Sequence, residues 1–128
     1  MTEIRILSFA AWRGGHYVGL AEVIASLGAL IEGHRWQLII DWLVSPETEA
    51  ITEATANSLV TTRHLIDLFS GDGQLIDGEL VGYADSSSAP EVRIRAFDSS
   101  YWHVQADSPE LLEKIIMLYP DAHELPEW

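Results

Sequence analysis

Between Glu91 and Ala106 the chain reads EVRIRAFDSSYWHVQA, and this stretch restricts the fold more than any other. Val92, Ile94 and Ala96 alternate with Arg93 and Arg95, and after Asp98-Ser99-Ser100 the alternation resumes with Trp102, Val104 and Ala106. A period of two marks a strand with one buried face, and two such runs joined by a short polar turn make an antiparallel hairpin. The arginines and His103 are expected to point outward. The apolar face has to be covered, and an isolated hairpin is not stable, so further strands and helices must pack on it.

The rest of the chain supplies them. Glu3–Phe9 reads as a strand ahead of the breaker Gly14-Gly15, and Leu20, Ile24, Leu27 and Ile31 form one apolar stripe of a helix over 17–31. Trp36, Leu38, Ile40, Trp42 and Val44 alternate along a strand whose second face is also largely apolar, which predicts a central position. Ser45-Pro46 suits a helix start, and helical pattern runs on to Phe69. Thr52, Thr55, Thr61 and Thr62 dilute it, which leaves room for a break near Asn57. Leu75–Ala84 reads as one unbroken strand. Ser108-Pro109-Glu110 opens a last helix carrying Leu112, Ile115, Ile116 and Tyr119, stopped by Pro120. Residues 121–128 read as an irregular tail.

This order predicts a single α+β domain over residues 1–128, with a mixed or antiparallel sheet of about five strands and three helices packed on it. A doubly wound parallel sheet is disfavoured, because the second half is rich in hairpins. Leu38, Ile40, Ile94, Trp102, Val104, Leu112 and Ile116 are the expected core.

The 48% hydrophobic content and five tryptophans are ample for one core in a chain of 128 residues, in spite of a net charge of −13. That charge is uneven. Residues 1–46 hold four acids against three arginines, whereas residues 47–128 hold sixteen acids against four bases. Such a surface repels nucleic acid and anionic membranes and attracts cationic partners. No apolar run reaches the length of a membrane span, no export signal opens the chain, and cysteine is absent, so a cytoplasmic location is expected.

No motif for chemistry emerges. Trp12-Arg13-Gly14-Gly15-His16 is the best anion-site candidate, but its glycines do not match a dinucleotide fingerprint and no P-loop lysine follows, so it reads as a glycine-dependent turn. The five histidines are scattered, with none three or four residues from another, and the acids around Asp72, Asp77 and Glu79 do not match a calcium loop. Ser99, Ser100 and His103 lie near Asp98, yet no nucleophile elbow surrounds either serine. The expectation is a non-enzymatic protein with no catalytic residues, no cofactor and no metal.

The stretch Val92 to Val104, leading into a capped terminal helix, resembles the last third of small acidic immunity proteins encoded beside bacterial toxins. The resemblance implies a cytoplasmic inhibitor that binds a cognate toxin and blocks its active site or substrate groove. It carries over no individual residue. Charge points the same way: an acidic domain fits a toxin domain with a basic cleft. The partner-binding candidates are Asp72, Asp77, Glu79, Asp85 and Asp98, with Tyr101 or Trp128 as an aromatic anchor. The alternative is a phage or host regulatory adaptor, including a nucleic-acid mimic, and after it a small enzyme.

Overall fold

A computed structural model describes residues 3–56, 58–71, 73–84 and 89–128. Its strands are β1 (Arg5–Ala10), β2 (Trp12–Arg13), β3 (His16–Tyr17), β4 (Arg35–Val44), β5 (Val60–Thr61), β6 (Gln74–Tyr83), β7 (Pro90–Phe97), β8 (Tyr101–Ala106) and β9 (His123–Leu125). Its α-helices are α1 (Leu20–Leu27), α2 (Thr48–Thr55), α3 (Thr62–Leu68) and α4 (Pro109–Leu118), with a 3-10 turn over Gly28–Ile31 extending α1. Seven strands form one sheet in the order β5-β4-β6-β7-β8-β1-β9, with every pairing antiparallel, and β2 and β3 make a separate small hairpin. Among the described residues no helix is long and apolar enough to cross a membrane.

The protein is thus α+β, with more elements than the expected five strands and three helices. Two of the extra strands, β5 and β9, have two and three residues, too short to leave a period in the sequence. The fourth helix comes from the break in 46–69: α2 ends at Thr55, and the chain restarts as β5 and α3. Thr61 caps α3 by accepting the His64 N–H at 3.1 Å. Asn57 itself lies outside the described residues.

One face of the sheet, the inner face, carries the helices. Leu7, Phe9, Trp36, Leu80, Ile94, Trp102 and Val104 of the strands pack there with Leu20, Ile24, Leu27, Leu65, Leu112 and Ile115 of the helices. Two buried indoles in this layer are paired. The Trp102 indole N–H donates to the Val18 carbonyl at 2.8 Å, and that of Trp36 donates to the Thr62 hydroxyl at 2.9 Å. Gly82 leaves room for the Trp36 ring, since a Cβ there would stand 2.7 Å from it. Ile94, Trp102, Val104 and Leu112 are core as expected, whereas Leu38 and Ile40 are half-buried. Ile116 is 41% exposed, because the buried stripe of α4 runs through Leu111, Leu112 and Ile115 to Tyr119, which stacks on Phe9 at 4.1 Å.

β4 corrects the sequence reading twice. It is next to the edge, not central, and β5 covers it at Arg35 and Trp36 alone. Its alternation also breaks at Asp41: the register against β6 shifts between Ile40 and Trp42 and again before Leu43. The bulge moves the inward side chains from Trp36, Leu38 and Ile40 to Leu43, and leaves Trp42 and Val44 exposed.

The tail is ordered, not irregular. β9 pairs with β1 through Ile6 and Leu125, Leu7 and Glu124, and Ser8 and His123. Arg5 donates to Glu124 at 2.8 Å, the Ala10 N–H donates to Asp121 at 2.8 Å, and Arg13 pairs with Asp121. The stretch Trp12–Tyr17 is a hairpin turned by Gly14 and Gly15, both at positive φ.

Candidate functional site: the outer face of the sheet

The alternation that buries one face of β6, β7 and β8 sends Glu79, Val81, Arg93, Arg95, Phe97, Tyr101, His103 and Gln105 to the face without helices. This outer face divides into a covered polar zone and an open aromatic end.

In the covered zone Arg93 forks onto both carboxylate oxygens of Glu79, at 3.0 Å each. Arg95 donates to Nδ1 of His103 at 2.7 Å. After β9 the chain turns back over the sheet, and the Trp128 indole lies 4.9 Å above the Arg93 guanidinium and 4.4 Å above that of Arg95. Its N–H donates to Glu79 at 3.0 Å. Cation–π attraction and a charge-assisted hydrogen bond together fasten this strap.

His103 is on the outer face, as expected, but it is covered there, with 8% of its surface exposed. Burial first, then the charges of Arg95 and His123, push its pKa down to about 4. The ring is therefore neutral at pH 7. Its Nδ1 accepts from Arg95, which places the proton on Nε2.

The open end is built around the β7–β8 turn. Asp98 and Ser99 both take positive φ, and the Ser100 N–H closes the turn on the Phe97 carbonyl at 3.0 Å. The turn docks on β6, with the Asp98 N–H donating to the Asp77 carboxylate at 2.9 Å and the Ser99 N–H to the Ile76 carbonyl at 2.9 Å. Phe97 faces Tyr101 across the hairpin, and Trp42 of β4 pairs with Asp77. Phe97 is 52% and Trp42 58% exposed, and Ile39 and Tyr101 are similarly open.

Of the expected partner-binding residues, Asp77, Asp98 and Tyr101 come together at this end, while Glu79 and Trp128 meet each other in the covered zone. Asp72 and Asp85 lie outside the described residues. Sequence reasoning passed over Phe97, Trp42 and Ile39. Phe97 shares the parity of Arg93 and Arg95, which was enough to place it outward. Trp42 was hidden by the bulge, whose one trace in the sequence is Asp41 inside an apolar strand.

Ser99 and Ser100 stay in the turn, and the Ser100 hydroxyl donates to the Asp98 carbonyl at 3.1 Å. Elsewhere, His16 and Glu22 pair at 2.9 Å on the lip of a cleft of about 380 Å³ lined also by Tyr17, Phe69, Ser70 and Gln74. Both are exposed, so solvent screens the pair. Among the described residues no three histidine or acidic side chains stand close enough to share a metal ion. Compared with protein-family models, curated proteins and solved structures, the chain matches none of them.

Proposed function

We propose that this chain is a protein inhibitor of the immunity-protein kind, which binds a cognate bacterial toxin domain and occludes its active site or substrate groove. One observation carries the reading: Ile39, Trp42, Phe97 and Tyr101 form an exposed apolar and aromatic end of the sheet, bordered by Asp77 and Asp98, on a chain of net charge −13. Large exposed aromatics grouped on a rigid sheet are the residue types that dominate binding energy, and the acids select a basic partner and speed its arrival. The role is stoichiometric and non-enzymatic, and it is exerted in the cytoplasm.

Co-expression with the product of the adjacent gene tests this. Cells should survive a toxin that otherwise kills them, and the purified pair should associate more slowly as salt rises, since exposed charge pairs are screened over about 10 Å at 0.1 M. Asp77→Asn with Asp98→Asn should slow association several-fold and leave the fold intact, because Asn keeps the oxygen that accepts the Asp98 N–H and tolerates positive φ. Absence of both binding and protection would overturn the proposal.

A further inference from the structure

We infer that the free edge of β4 receives a basic, extended segment of a partner protein as an added strand. The inference rests on the reading of the chain as a binding protein and specifies how it binds.

Among the described residues β5 ends its cover at Trp36, so from Gln37 to Val44 β4 has β6 on one side and no strand on the other. Half of the main-chain groups in an antiparallel strand point to each side, which leaves about four N–H and four C=O groups turned outward along this edge. Beside the exposed Gln37 and Asp41, the edge carries Ile39, Trp42 and Val44, all about half exposed. A long apolar edge of this kind is a template for another strand, and folds usually blunt it with lysine, proline or a covering loop. Here the bulge at Asp41 interrupts the register with β6, and among the described residues no strand lies on the far side.

A groove of about 370 Å³ runs beside the edge, lined by Gln37, Leu38, Thr55, Ala56, Ser58 and Leu59. It gives an incoming strand a place for the side chains that point towards α2.

Charge identifies the occupant. Residues 36–62 contain Asp41, Glu47, Glu49 and Glu53 and no lysine, arginine or histidine. Glu49 and Glu53 share the helix face of Ala56, which lines the groove, and both are exposed. A second copy of the chain would set these four acids against the same four, at a cost in like-charge repulsion. A strand in which lysine or arginine alternates with β-branched residues offsets them, donates to the open main chain and fills the groove, the mode known as strand addition.

The test uses the full chain, isotopically labelled, with amide hydrogen exchange followed by NMR. The probes are an eight-residue peptide alternating lysine and valine and its counterpart alternating glutamate and valine. The lysine peptide should slow exchange in residues 37–44 at least about ten-fold and lose that effect at high salt, and the glutamate peptide should do little. In the variant Asp41→Lys, Glu49→Lys, Glu53→Lys the preference should reverse; the comparison of peptides on the native chain holds even if that variant misfolds. Unchanged exchange in 37–44, or equal response to both peptides, overturns the inference. Concentration-dependent dimers protecting the same residues without peptide would make a second copy the occupant and overturn it too. If the adjacent gene's product binds and is neutralised while 37–44 exchange as before, the edge inference alone falls. If the lysine peptide protects β4 but that product does not bind, the inhibitor reading falls and the edge inference stands.

Discussion

At one edge of the sheet β9 pairs with β1, and Arg5, Arg13 and the Ala10 N–H reach across to Glu124 and Asp121. At the other edge β4 runs past its short partner β5 with apolar side chains and acids around it and no basic residue between Trp36 and Thr62. Burial pulls the Asp121 carboxyl up, but the Ala10 N–H and the Arg13 guanidinium outweigh it and hold it below its ordinary range. Arg93 and Arg95 are likewise occupied, by Glu79, His103 and Trp128. Four of the seven basic residues, Arg5, Arg13, Arg93 and Arg95, thus serve contacts away from the β4 edge. One edge is closed by the chain's own charges, and the other has no strand beyond Trp36 among the described residues.

The largest test of this contrast lies under the closed edge. Phe9→Ala removes a fully buried ring stacked on Tyr119 and should cost about 3–5 kcal/mol in chemical denaturation. A loss near zero would mean that β1 is held by less than its packing implies. Acid comes next. Because His103 titrates near 4 in the folded chain against 6.5 ordinarily, the unfolded chain takes up a proton between those values that the folded chain refuses. Stability present above about pH 6.5 should fall by roughly 2–3 kcal/mol on the way to pH 4, and His103→Asn should flatten that segment of the curve.

Trp128→Ala, which strips the strap from Arg93 and Arg95, is expected to cost about 1–2 kcal/mol. It should also return the His103 pKa towards 6.5, visible in its ring proton shifts by NMR, since the cover that desolvates it is gone. The smallest effect on stability belongs to the open edge. Trp42→Ala should leave the denaturation midpoint within about 0.5 kcal/mol of the parent while weakening partner binding at least about ten-fold. A stability loss as large as that of Phe9→Ala would show that Trp42 belongs to the core and erase the contrast.

The elements readable in the sequence were those whose signal is local. Val92, Ile94, Trp102 and Val104 sit where a period of two puts them, and Ser108 caps α4 by accepting the Leu111 N–H at 3.3 Å. β9 was invisible because its hold is made with partners more than a hundred residues away, such as Arg5 with Glu124, and Leu125 is its one apolar residue. Trp42 was misplaced because a bulge exchanges faces without altering composition. At the open end Asp77 and Asp98 were legible as acidic binding candidates and Tyr101 as an aromatic anchor, but their convergence depends on the turn docking on β6, which no spacing within either segment encodes. The covered zone was missed for the same reason, since it needs Trp128 to cross the sheet and reach Glu79.

The pairing of β1 with β8 and β9 sets an order for the birth of the molecule. During translation the β1 segment emerges well before its partners at Tyr101–Ala106 and His123–Leu125, so β1 waits unpaired while the stretch between them is synthesised. The β6–β7 hairpin, whose strands are neighbours in the chain, can assemble before that. Completion of the sheet is therefore a late event, and a nascent chain stalled short of residue 101 carries Ile6, Leu7 and Phe9 as an exposed ribbon for chaperones to hold.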